Sequence, residues 1–176
     1  MTNRLPIGQR LVQQGHIDAW QLQSALSHQQ RWGGRLGEAV VGLGFLPEQV
    51  VLSEVARQLG VPYLDVAGRW VAPEVVRLVP EKLIRRRRVF PIALAAQTRR
   101  GPLVVATAEP QDLATLDEVA FASGMIVKPV LASARAIDRL VARHLDDAAP
   151  LRHDGVDLPA DRGVPMWVVP FGHEVN

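Results

Sequence analysis

RLGEAVVGLGFLPEQVVLSEVARQ, residues 35–58, decides the fold, because its landmarks also occur upstream, all at one constant offset. Gly37 corresponds to Gly8 and Gly44 to Gly15. Val40-Val41 corresponds to Leu11-Val12, Leu46 to Ile17, Val51 to Leu22, Val55 to Leu26 and Gln58 to Gln29. Matched apolar positions alone carry little weight, since any two amphipathic helical hairpins share them. The two glycine pairs and the glutamine pair, in one register without a gap, mark a repeat.

Each copy reads as a helical hairpin. Ile7, Leu11 and Val12 fit a short helix that Gly15 ends, and Asp18 is placed to cap the next one. Leu22, Ala25, Leu26 and Gln29 then fall on one face at i, i+3, i+4 and i+7. In the second copy Leu36, Val40 and Val41 lead to Gly44, and Pro47 opens a helix that presents Val51, Glu54, Val55 and Gln58. A glutamine that ends a buried stripe needs hydrogen-bond partners. Either each one caps a neighbouring backbone group, or both face a shared ligand. Gly8 and Gly37 leave room for close backbone approach. Arg35, at the start of its helix, suits a phosphate or a guanine edge.

Outward from the repeat the pattern changes. Residues 63–66 read as a short strand. Pro73 opens a helix through Leu78 and Pro80 one through about Arg87. Val89–Leu94 and Leu103–Thr107 read as strands joined by the turn-like TRRGP. A helix over Asp112–Ala122 is ended by Gly124. Ile126–Leu131 is a strand, and Ser133 caps a helix to about Leu145. The expected class is α+β: a tandem helical-hairpin subdomain (1–60), a small α/β subdomain with helices packed on a short sheet (61–145), and an extended or partly disordered tail (146–176) carrying the apolar patch MWVVPF (166–171).

Composition narrows the chemistry. The 176 residues are 48% hydrophobic and 22% charged, which excludes wholesale disorder. Cysteine is absent, so disulfides, thiolate-bound metals and thiol catalysis are excluded. The five histidines make no i,i+4 ligand pair. No GxxxxGK[ST], G-x-S-x-G or H-E-x-x-H occurs. Net charge is +2, with 18 of the 20 basic residues arginine, so no nucleic-acid polymer is expected as partner. Arg85-Arg86-Arg87-Arg88 reads as the solvated end of a helix set against its dipole, the alternative being a patch for an acidic partner. Asp112 and Asp117 read as a cap and a helix-face residue. Without a signal peptide or an apolar stretch of spanning length, the expectation is a cytoplasmic protein with no membrane insertion.

Residues 35–58 resemble the tandem motif of the MshEN domain, the N-terminal domain of type II secretion and type IV pilus assembly ATPases (the GspE N-terminal domain family). Residues 6–29 match less well. LGVPYLDV (59–66), VFPIAL (89–94) and LVVATAEPQDLATLDEVAFASG (103–124) are similar to the segments that follow in that family. The resemblance implies a regulatory module that binds cyclic di-GMP, with no cofactor beyond that ligand and no enzymatic activity of its own. It implies that Arg35 contacts a guanine or phosphate, and that Gly8 and Gly37 permit backbone approach. Gln29 and Gln58 would hydrogen-bond the ligand. Ile7, Leu22, Leu36 and Val51 would supply apolar contact, and Arg4 would be an assisting basic residue. The first motif departs from the pattern in having Pro6 for arginine and His16 for an aliphatic residue, with Arg4 or Arg10 as the nearest substitutes. The alternative is a degenerate, nucleotide-free adaptor docking on a secretion or pilus machinery protein. The relatives' motor domain does not fit in 176 residues, so either a stand-alone regulator or an isolated fragment is expected, with Met1 and the divergent tail favouring the former.

Overall fold

A computed structural model describes residues 5–95 and 101–146. They form an α+β fold of two compact units that divide after Asp65. Arg4, most of the TRRGP turn, and the tail from residue 147, with its MWVVPF patch, lie outside the described residues.

The first unit consists of α1 (Ile7–Gln13), α2 (Ala19–Trp32), α3 (Leu36–Gly42) and α4 (Glu48–Leu59). The sequence repeat is carried into the backbone. Both ends of α3 match those of α1 at the offset that relates Gly37 to Gly8, and the start of α4 matches that of α2. Local chemistry sets these boundaries. Gly15 and Gly44 reverse the chain inside each hairpin at φ +72° and +74°, a conformation costing about 1–2 kcal/mol for a residue with a Cβ. Asp18 accepts the Gln21 N–H at 2.7 Å while the Gln21 side chain accepts the Asp18 N–H at 2.9 Å, a closed capping box at the start of α2. Leu11, Ile17, Ala25, Ala39, Val40 and Val51 form the apolar core. The equivalent residues Leu11 and Val40 are both fully buried.

The second unit contains α5 (Pro73–Val76), α6 (Glu81–Arg87), β1 (Val89–Leu94), β2 (Leu103–Thr107), α7 (Leu113–Ser123), β3 (Val127–Leu131) and α8 (Ala134–Val141), followed by a π-helical turn over Ala142–Asp146. The sheet runs β1-β2-β3, with β1 antiparallel and β3 parallel to β2. A parallel neighbour requires a crossover, which α7 supplies. All of β2 is buried, in keeping with its apolar run and central place. Pro91, without an N–H to donate, sits in the edge strand β1 beside a register shift between Pro91 and Ala93.

Three elements differ from the sequence expectation. Residues 63–66 form no strand, and only Tyr63 makes a bridge. Leu64 and Val66 are buried on either side of exposed Asp65, so the alternation is real but lacks a ladder. The helix opened by Pro73 stops at Val76 and becomes a turn. The last helix leaves α geometry at Ala142. There Nε2 of His144 accepts the Val71 N–H at 3.0 Å, and Nδ1 lies 3.1 Å from the Leu140 carbonyl. The first bond needs Nε2 unprotonated, which leaves Nδ1 as the donor.

Candidate functional site

The residues singled out by the repeat gather in the first unit through two crossed ties. At the end of α2, Gln29 Nε2 donates to the Gly34 carbonyl at 2.9 Å, just ahead of α3. At the end of α4, Gln58 Nε2 donates to the Leu5 carbonyl at a longer 3.4 Å, just ahead of α1. Leu5 and Gly34 are themselves equivalent positions of the repeat. Each hairpin therefore ends on an amide that ties down the entrance of the other, a pseudo-two-fold arrangement. Both glutamines are half-buried, and in this structure each bonds a backbone carbonyl.

The glycines have a packing role that spacing alone did not identify. A Cβ on Gly8 would stand 2.5 Å from Leu22 Cδ1 and 2.8 Å from Leu36 Cδ2. A Cβ on Gly37 would stand 2.8 Å from Val51 Cγ1. The missing side chains let each hairpin's second helix close on its first. Leu22, Leu36 and Ile7 are half-buried, whereas Val51 is only 3% exposed and lies in the core. Val51 thus fills the space over Gly37 instead of presenting an open apolar surface. Arg35 occupies the N-cap of α3 in exposed, extended backbone. Its N–H donates to Glu38 Oε2 at 3.1 Å.

A charged cluster in this unit was not anticipated. The Glu54 side chain is 4% exposed, with Arg57 at 2.8 Å, Arg10 at 3.8 Å and His16 at 3.9 Å. Its Oε2 is buried with no hydrogen bond among the described residues. Arg10, with Arg4 one of the two arginines nearest to Pro6, is turned toward this carboxylate. The repeat held the signal: the counterpart of Arg10 is Ala39 and the counterpart of Glu54 is Ala25. A charged residue faces an alanine at one position in each copy.

At the junction of the hairpins stands Trp32, the last residue of α2 and 71% exposed. The Arg31 guanidinium lies 5.5 Å from its ring centroid, and the His28 ring lies 6.5 Å away, tilted by 44°.

The arginine run in the second unit is neither a bare patch nor a free helix end. Arg85 bonds Glu81 at 2.8 Å and Asp146 at 2.6 Å. Arg86 and Arg87 share Glu118 on α7, and Arg88 pairs with Asp138 on α8. The run fastens α6 to two later helices and the final turn. A cavity of about 180 Å³ opens among Arg86, Arg87, Arg88, Thr107, Asp112 and Thr115, and its guanidinia are already engaged by carboxylates. Asp112 caps α7. The Thr115 hydroxyl at 2.6 Å and the Thr115 N–H at 3.1 Å hold its carboxyl below the usual range. Burial pushes the Tyr63 phenol up, with Asp65 and Glu48 adding to the shift. Among the described residues no cluster suited to a metal ion occurs, and no helix is long and apolar enough to cross a membrane.

Against known proteins, residues 59–151 match the MshEN domain family model. The chain is 30% identical over 155 residues to the type IV pilus assembly ATPase PilB of Myxococcus xanthus, covering 88% of this chain and 26% of PilB. It is 35% identical over 138 residues to PilB of Thermus thermophilus, covering 78% and 15%. The chain thus spans about a quarter or less of the length of these curated relatives. Among solved structures, MshE with cdg superposes with a TM-score of 0.64 at 30% identity, covering 80% of this chain and 99% of that one. The N-terminal domain of XpsE shares the fold at 22% identity and TM-score 0.52, covering 78% and 92%.

Proposed function

The chain belongs to the MshEN domain family, and from that premise we propose that its first unit is a cyclic di-GMP-binding regulatory module of a pilus or secretion machine. It acts in the cytoplasm by binding and not by catalysis. The observation that carries this reading is the crossed pair of ties, Gln29 to Gly34 and Gln58 to Leu5. Two pseudo-equivalent corners suit a ligand that is itself two guanylates related by a two-fold axis. MshE, whose structure was solved with cdg, supports it at 30% identity. Arg35 contacts a phosphate or guanine edge at one corner, with Ile7, Leu22 and Leu36 as apolar walls. Gln29 and Gln58 exchange or share their carbonyl partners with the ligand.

Calorimetry with cyclic di-GMP tests this. The folded chain gives saturable heat. Arg35→Ala, which removes one charged hydrogen-bonding group, weakens binding roughly ten- to a hundredfold. Pro6→Arg, which supplies the guanidinium missing from the first motif, tightens it. A folded chain without saturable heat at high micromolar ligand defeats the proposal.

Pro6, together with the engagement of Arg10 by Glu54, favours a second reading: an adaptor that docks on a pilus or secretion machinery protein without nucleotide. Co-purification with such a protein, unchanged by cyclic di-GMP and by Arg35→Ala, would select it.

A further inference from the structure

The first motif ends on groups its counterpart lacks. Trp32 stands about one helical turn beyond Gln29, and Arg31 covers only part of its exposed ring. At the equivalent positions of the second motif, Gly60 stands for Arg31 and Val61 for Trp32. After Trp32 the chain turns through Gly33 and Gly34, at φ +75° and +84°. The Gln29 amide ties this turn down at Gly34, and the next residue is Arg35. Trp32 and Arg35 therefore flank one tied corner. The opposite corner, at Leu5 and Gln58, has Pro6 where this one has Arg35 and Val61 where this one has Trp32.

We infer that Trp32 is a stacking platform for one purine base of the ligand, so that the site grips its dinucleotide unequally, from the Arg35 corner. This rests on the cyclic di-GMP reading above and adds a specificity-determining residue to it. An indole face attracts a nucleobase by stacking, and a guanidinium beside it adds a cation–π component. Arg35 then offers a planar donor fork to the guanine O6/N7 edge or to a phosphate. A strong half-site at this corner offsets the guanidinium absent at Pro6, which is how a lopsided first motif retains affinity.

The test is calorimetry of the full chain with cyclic di-GMP. Trp32→Ala weakens binding roughly ten- to a hundredfold, the range for loss of one base-stacking aromatic, while Trp32→Phe stays within about threefold of wild type because a π-face remains. Trp32 is largely exposed, so both variants keep the wild-type circular dichroism. In a variant whose sole tryptophan is Trp32 (W20F, W70F, W167F), its fluorescence is quenched in step with the heat. Wild-type binding with Trp32→Ala equally tight, or with Trp32 emission unmoved, overturns this inference and leaves the regulatory reading standing. Absence of saturable heat from the wild-type chain overturns both.

Discussion

On the α1–α4 side of the first unit, a carboxylate is buried between arginines at positions 10 and 57. On the α2–α3 side, Ala25 and Ala39, the counterparts of Glu54 and Arg10, are buried in an apolar core. The backbones correspond helix for helix, yet one interface is charged and the other dry. The alanine side shows that the architecture closes without an ion pair. This agrees with the general finding that replacing a buried pair with apolar groups is often neutral, whereas removing one partner is costly. The charged version instead ties Arg10 to Glu54 and makes the two halves chemically unequal. The same inequality recurs at the two tied corners, with Arg35 and Trp32 at one and Pro6 and Val61 at the other.

The largest expected effect breaks the charged half alone. Removing both arginines (R10A with R57A) leaves the Glu54 carboxylate with His16 as its one remaining charged neighbour among the described residues and destabilises the chain by about 1–3 kcal/mol. Adding Glu54→Ala to that pair recovers most of the loss, because it recreates the alanine solution of the other half. Urea unfolding of the double and triple variants measures both, and a triple variant as unstable as the double would show that the halves are not interchangeable.

A smaller effect sharpens the comparison at the glycines. Gly8→Ala meets two side chains at 2.5 and 2.8 Å in a buried position, whereas Gly37→Ala meets one at 2.8 Å in a half-buried one. Overpacking costs about 1–3 kcal/mol and the gain in helix propensity returns about 1 kcal/mol. Gly8→Ala should therefore destabilise by up to about 2 kcal/mol, with Gly37→Ala near neutral. Thermal melts that ranked them the other way would contradict the closer packing over Gly8.

The glutamine ties separate by less. Gln29→Ala removes a 2.9 Å bond and Gln58→Ala a 3.4 Å one. The former should cost about 0.5–1.5 kcal/mol and the latter less, and native-state hydrogen exchange of the neighbouring helix entrances would resolve the order.

The smallest effect concerns the second unit and depends on pH. The Asp112 carboxyl is held below its usual range by Thr115, so its contribution is full above the unfolded value of about 3.9. It is lost as pH falls through the lower folded value. The stability gap between wild type and Asp112→Ala should stay constant near neutrality and close in acid. A gap that widened in acid would reverse the assigned sign.

The helices of the first unit were legible before any coordinates. Gly15, Gly44, Asp18 and Pro47 act within a few residues of where they stand, and a repeat in such local signals becomes a repeat in backbone. The strands Val89–Leu94 and Leu103–Thr107 were legible for the same reason, as apolar runs bounded by breakers. Residues 63–66 failed because alternation records burial, and a strand also needs a neighbour to bond. The candidate site was legible in position more than in role. The spacing located Gln29, Gln58, Gly8 and Gly37, but their partners belong to the opposite hairpin or the facing helix.

By itself, then, the sequence determined the two-copy plan, the helix boundaries of the first unit and the family, since each rests on short-range chemistry or on a recurring pattern. Only the tertiary structure decided that Val51 closes over Gly37, that Arg10 reaches Glu54, and that the arginine run pairs with Glu118, Asp138 and Asp146. These partners are brought together across loops and stretches of chain that no local propensity encodes. Ion pairing and close packing are set by distance in space, which the chain acquires only on folding.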